Sequence, residues 1–261
     1  MLVFAHVPKT GGTTFRRSYL TAALPREERW ILSGAGENEA DRRRFLAMPE
    51  SKRRRYRIVA GHHAGTLRPY LPQARFLTVV REPVARTISE YLHAMHHPGA
   101  AAIWATARRE GLALGAYVER YDRQNVQSRM LLGDSCDTLD DHALGRYLDD
   151  HYALVGYTEA FDEFVFLLHL TEGLPLCFYR NRLVRPERAT FTPSPEDLEL
   201  VTRATAVDAR LYRVARKRFD ARLAALAPET RRKLERWKAA LHEFRQRTDL
   251  DVEAERLPDD W

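Results

Sequence analysis

The sequence predicts an α/β fold, a doubly wound parallel sheet with a phosphate-binding loop after the first strand and a helical C-terminal part. Three observations lead there. Short apolar runs bounded by turn signals recur along the chain, longer segments with helical spacing separate them, and the first apolar run enters a glycine-bearing loop directly.

The apolar runs are Leu2 to Val7, Arg57 to Ala60, Phe76 to Val80, Ala153 to Tyr157 and Pro175 to Tyr179. Each is short and nearly unbroken by polar residues, the pattern of strands buried on both faces, so all five are expected in one parallel sheet. Between them, helical spacing marks Thr13 to Ala23, Val84 to Met95, Leu112 to Tyr121 and Glu163 to Thr171. The stretch Ser33 to Arg55 is polar and ends in Lys52-Arg53-Arg54-Arg55, which reads as a solvated helix end in preference to a nucleic-acid patch. From His96 to Arg109 a loop and then an alanine-rich helix are expected to overhang a pocket. Ser194-Pro195-Glu196-Asp197 supplies an N-cap, a proline at the first helical position and acids in the first turn, opening a helical C-terminal part. Residues 228–247 are charged on several sides and are expected either to pack one face or to mediate self-association, which leaves room for a homodimer.

At 261 residues the chain can bury a sizeable core. One α/β domain over 1–225 is expected, with 226–261 a charged helical extension of that same domain. Forty-two basic residues against 36 acidic give a net charge of +6, a surplus that suits an anionic ligand and is too small for a nucleic-acid-coating protein. Cys136 and Cys177 are the only cysteines, which offers neither a disulfide framework nor zinc spacing and points to a reducing compartment. No run approaches the roughly 18 apolar residues of a membrane span, so the expectation is a cytoplasmic protein with no membrane span.

The chemistry begins at His6-Val7-Pro8-Lys9-Thr10-Gly11-Gly12-Thr13-Thr14. Gly11 and Gly12 can take positive φ and let amides approach an anion that side chains would block. Lys9 adds a point charge, the helix opening near Thr13 adds its unpaired N–H groups and positive dipole end, and the hydroxyls of Thr10, Thr13 and Thr14 can donate further bonds. Lys9 precedes the glycines, whereas a Walker loop places its lysine after the last one, so a magnesium-dependent NTPase is disfavoured. An ordinary strand-to-helix turn is the plainer reading of this loop alone.

A second anion site follows the strand Phe76 to Val80. Arg81 stands at the carboxyl end of that strand, where open parallel sheets bind ligands, and Ser89 lies about two turns into the next helix. An arginine and a hydroxyl can grip a phosphate. The competing reading makes Arg81 a cap or an ion-pair partner of Glu82 or Glu90.

Together, Pro8-Lys9-Thr10-Gly11-Gly12-Thr13-Thr14 and Arg81-Glu82-Pro83-Val84-Ala85-Arg86-Thr87-Ile88-Ser89 resemble the sulfotransferase superfamily, nearest the branch of the heparan sulfate 2-O- and 6-O-sulfotransferases and their bacterial relatives. Gly61-His62, Asn125 to Leu131, Val155 to Glu159 and Leu211 to Ala215 agree in order, over roughly residues 1–220. The resemblance implies that Lys9, Thr10, Gly11, Gly12, Thr13 and Thr14 bind the 5′-phosphosulfate of PAPS and that Arg81 and Ser89 bind its 3′-phosphate. It implies substrate or active-site contacts for Asn125, Gln127 and Arg129, whose alternative role is helix capping and internal hydrogen bonding. It also implies a hydroxyl-bearing acceptor, a carbohydrate or glycoconjugate, with PAP as product and no metal.

Sulfuryl transfer needs charge stabilisation on the leaving oxygen, a task that suits Lys9, and a base for the acceptor proton. A histidine with a resting pKa of about 6.5 can accept that proton at neutral pH, and Gly61-His62-His63 follows a buried strand at the same sheet edge. His62 is the first choice and His63 the second, because neighbours on an extended segment point opposite ways. A zinc site at this pair lacks a recognisable third ligand. Glu90 remains an orienting acid or second base, and His6 reads as a packing residue. Two other functions fit the same loop: a nucleotide-dependent phosphotransferase, and a non-catalytic scaffold that holds PAP or another nucleotide.

Overall fold

A computed structural model describes residues 1–32, 38–96, 104–182, 191–247 and 252–258. The strands are β1 (Leu2–Ala5), β2 (Arg29–Ile31), β3 (Ile58–Gly61), β4 (Arg75–Val80), β5 (Leu154–Tyr157), β6 (Cys177–Tyr179) and β7 (Ala254–Arg256). Five of them form one sheet in the order β2-β3-β1-β4-β5, with every pairing parallel. From β1 the chain builds outward to β3 and β2 on one side and to β4 and β5 on the other. The carboxyl end of β1 therefore sits where the strand order reverses, the place where open parallel sheets bind ligands.

The helices are α1 (12–23), α2 (Asn38–Ala47), α3 (Glu50–Arg53), α4 (Pro83–His96), α5 (Ala105–Glu110), α6 (Leu114–Arg120), α7 (Val126–Leu132), α8 (Asp141–His151), α9 (Phe161–Glu172), α10 (Pro195–Ala204), α11 (Ala206–Ala224) and α12 (Pro228–Gln246). Short 3₁₀ turns occur between them, at Ala64–Tyr70 after β3 among other places. Within α1, Phe15–Tyr19 widens to π geometry, an expansion frequent beside functional sites. No helix among the described residues is long and apolar enough to cross a membrane.

Val3, Phe4, Val59, Leu77 and Val79 are fully buried, as parallel strands covered on both faces require. Phe4 of β1 packs on Phe15 of α1 with ring centroids 4.2 Å apart, and Phe164 of α9 completes the cluster. Burying each such ring stabilises the fold by about 1.5–3 kcal/mol, so the loop between β1 and α1 is held by its two ends. A second apolar cluster joins α4, α5, α6 and α10 through Tyr91, Leu92, Ala107, Tyr117 and Val201.

The run Pro175 to Tyr179 departs from expectation. Its ordered part, β6, does not join the parallel sheet but pairs antiparallel with β7, Cys177 opposite Arg256 and Tyr179 opposite Ala254. An apolar run specifies burial, not partner, and here the buried partner is α12: Phe178 stacks on Phe244 and Tyr179 lies against Trp237. α12 buries one face through Leu234, Trp237, Leu241 and Phe244. The expected cap at Ser194 is present, its side chain accepting from Asp197 N at 3.1 Å. Of the expected overhanging loop, residues 97–103 lie outside the described residues, as do 33–37 of the polar stretch.

Candidate active site

At the carboxyl edge of β1, β3 and β4 lies a cavity of about 1140 Å³. Its wall includes Lys9, Gly11, Gly12, Thr13, Thr14, His62, His63, Arg81, Ser89 and Arg129. Segments far apart in sequence thus meet because their strands are neighbours and end at one edge.

The loop is shaped by backbone. Gly11 has φ +83°, and Lys9, a non-glycine residue, also sits in the left-handed region at φ +70°. Left-handed residues alternating with ordinary ones turn successive amides toward one point, the arrangement of an anion nest. The side chain of Thr10 does not reach the cavity wall: its hydroxyl is buried and donates to Val7 O at 2.9 Å, which ties the loop to the end of β1. The Thr14 hydroxyl accepts from Arg182 N at 3.0 Å, and so brings Arg182, also in the cavity wall, to the start of α1. A side chain at position 12 is excluded, since its Cβ would lie 1.9 Å from the His6 ring.

Arg81 follows β4, is largely buried, and donates from Nη1 to Lys9 O at 2.8 Å. It is not a partner of Glu82 or Glu90. Glu82 caps α4, accepting from Val84 N at 3.1 Å and Ala85 N at 2.6 Å. Glu90 is held by Arg86 at 3.1 Å and lies 3.7 Å from Arg123. Ser89, half-buried on α4, faces the cavity beside them.

His62 lies at the end of β3, with its Nδ1 3.1 Å from His6 O. That oxygen can only accept, so neutral His62 carries its proton on Nδ1 and leaves the Nε2 lone pair available. Burial first, and then the nearby Arg16 guanidinium, pushes its pKa from 6.5 down to about 4. The ring is accordingly neutral at physiological pH. The His62 ring stacks on that of His6 at 4.0 Å. His63 is exposed at the rim of the same cavity.

Asn125 and Gln127 are near this cavity but do not form its wall. Gln127 accepts from Arg81 N and donates to Arg81 O, both at 2.9 Å, so its buried side chain clamps the Arg81 backbone. Asn125 Oδ1 accepts from Val207 N at 3.0 Å and Asp208 N at 3.2 Å, capping α11. Asp208 returns the contact, accepting from Gln127 N at 3.1 Å and Ser128 N at 2.7 Å at the start of α7. Arg129 does face the cavity and pairs with Asp122 at 2.8 Å.

Sequence reasoning missed Asp208, Arg182 and Arg245. Arg245, from α12, reaches the cavity wall and holds Asp162 through two bonds of 2.7 and 2.8 Å. An acid in the first turn of α11 was the only sequence signal of Asp208, and nothing marked Arg245 among the arginines of the C-terminal helix. Among the described residues no group of three or more His, Cys, Asp or Glu side chains could hold a metal ion.

The chain matches the family model described as "Sulfotransferase family" over residues 1–135, a span that contains the loop, His62, His63 and Arg81. No curated protein matches it. Among solved structures it is similar to mouse sulfotransferase SULT7A1 complexed with PAP, at 11% identity, covering 95% of this chain and 84% of that chain with a TM-score of 0.38.

Proposed function

The chain belongs to the sulfotransferase family, and we propose that it moves a sulfuryl group from PAPS to a hydroxyl of a carbohydrate or glycoconjugate by in-line transfer. One observation carries this reading: an anion nest with a lysine, a buried arginine and a histidine with an available Nε2 line one cavity. The cavity suits a nucleotide bearing two separate anionic groups, with room left for an acceptor. Gly11, Gly12, Thr13 and Thr14 with Lys9 would hold the phosphosulfate end, and Arg81 and Ser89 the 3′-phosphate.

PAPS supplies an activated sulfuryl group and a phosphate leaving group. Lys9 stabilises the charge that develops on the bridging oxygen, and the amides at the start of α1 stabilise the phosphate. His62 Nε2 takes the acceptor hydroxyl's proton while Nδ1–H stays bonded to His6 O. Placement of the acceptor oxygen beside a fixed imidazole replaces an encounter in solution by a preformed geometry. The acceptor class rests on the family resemblance.

Calorimetric titration with PAP, beside ATP plus magnesium and repeated on Arg81→Ala, tests the cofactor. Metal-independent PAP binding that weakens in the variant supports the reading, and preference for magnesium ATP removes it. Lys9→Ala and His62→Ala are each expected to lower turnover by roughly 100-fold or more while the protein stays folded. Full activity in His62→Ala would exclude it as the base.

A further inference from the structure

The His6 ring is buried, and its Nδ1 makes no hydrogen bond. Its contacts are made by its faces and edge. One neighbour is His62, stacked at 4.0 Å and 24°; the next ring along is Phe4, at 6.0 Å and 21°. Against its edge lies Gly12, where the ring fills the space that a Cβ would need. The same residue offers its backbone oxygen to His62 Nδ1 and is itself tied to β3 by its N–H donating to Gly61 O at 3.0 Å.

We propose that His6 is a positioning residue for His62, its flat ring holding the imidazole of the base in one plane and one tautomer against the phosphate loop. The inference rests on the reading of His62 as the base. The His6 oxygen alone fixes the proton on Nδ1 only while the His62 ring stays in the plane that points Nδ1 at it. Stacking supplies that plane. Without a flat neighbour, the ring is free to rotate about its χ2 torsion, which is broad and roughly two-fold. A half-turn puts Cδ2 where Nδ1 stood and Cε1 where Nε2 stood, so the His6 oxygen no longer fixes the tautomer and Nε2 is displaced. Because His6 also abuts Gly12, the base is referenced to the loop that would hold the sulfuryl donor. Burial also keeps His6 itself uncharged, its pKa well below 6.5, so it adds no repulsion when His62 gains a proton.

The test uses the full chain with ¹⁵N-labelled imidazoles, His6→Leu and His6→Phe. His6→Leu keeps apolar volume without a flat face, and His6→Phe keeps the face without nitrogen. In the wild type His62 should show the Nδ1–H tautomer. In His6→Leu the tautomers should mix and kcat for PAP release from PAPS, with a mixed oligosaccharide acceptor, should fall roughly 10- to 100-fold at unchanged PAP affinity. His6→Phe should restore the tautomer and return kcat to within about threefold of wild type. An unchanged His62 tautomer in His6→Leu, or failure of His6→Phe to restore it, overturns the inference. Failure of the base assignment is separate, since it shows as activity retained in His62→Ala whatever the imidazole signals do.

Discussion

Nη1 of Arg81 donates to the backbone oxygen of Lys9 at 2.8 Å, so the arginine that would bind one phosphate also braces the loop that would bind the other. The brace is needed because Lys9 is held at φ +70°, a conformation that costs a non-glycine residue about 1 kcal/mol or more. Arg81→Ala removes a charge from the cavity and releases the loop at once. PAP affinity is expected to fall roughly 100-fold, and affinity for AMP, which lacks the 3′-phosphate, to fall as well, by a smaller factor of about 3 to 10. Calorimetry with both nucleotides separates the two effects. An AMP affinity unchanged in Arg81→Ala would show that the brace contributes nothing to the loop.

The backbone of Arg81 is in turn clamped by Gln127, whose helix is capped by Asp208. Asn125→Ala and Asp208→Ala each remove caps between α7 and α11 and should each cost about 1–2 kcal/mol in urea denaturation. Gln127→Ala leaves the buried Arg81 N and O without side-chain partners. It should cost about 1–3 kcal/mol and also weaken PAP binding. Loss of stability with PAP affinity intact would mean that the clamp does not position Arg81.

Gly12 and His6 compete for one space. Gly12→Ala places a methyl group on the His6 ring and should destabilise the protein by about 1–3 kcal/mol. His6→Ala opens room, so the double variant should be more stable than the sum of the two single effects predicts, with a coupling of about 1 kcal/mol or more. A denaturant-melt cycle of the four proteins measures this. Additive losses would place the strain elsewhere.

The depressed pKa of His62 has a defined sign. Between about 4 and 6.5 the unfolded chain binds a proton that the folded chain does not, so stability falls as pH drops through that window and is level above it. Allowing for the partial exposure of the ring, the loss is about 2 kcal/mol. His6, also lowered by burial, acts in the same direction. Urea midpoints at pH 7.5 and 4.5 should therefore differ less in the His6→Phe/His62→Asn variant than in wild type. The acid limb of kcat/KM, which reports the free enzyme, should lie below the ordinary histidine range; a limb at that range would contradict the neutral, buried His62.

Four strands of the parallel sheet were legible because strands covered on both faces must be apolar almost throughout, and β1, β3, β4 and β5 are. β2 was not, since Arg29-Trp30-Ile31 is short and flanked by charge. Pro175 to Tyr179 carried the same apolar signature yet pairs with Ala254–Arg256, a segment with no strand pattern of its own. In the site, glycines, a lysine and an arginine at strand ends were legible as candidates for the cavity wall, which they do line, because backbone freedom and charge are properties of the residue itself. The orientation of a side chain is not. Thr10, Asn125 and Gln127 carry the right groups, and the structure turns them inward to bind backbone.

By itself the sequence determined that a loop with a lysine and two glycines follows the first buried strand and that an arginine and a histidine end two others. Those features depend on residue type and on spacing along a few neighbouring residues. Only the tertiary structure decided that Arg81 braces Lys9, that His62 points its Nδ1 at the His6 oxygen, and that Arg245 from the last helix enters the cavity wall. Each of these joins segments tens of residues apart, and such partners are chosen by the packing of the sheet and helices as a whole.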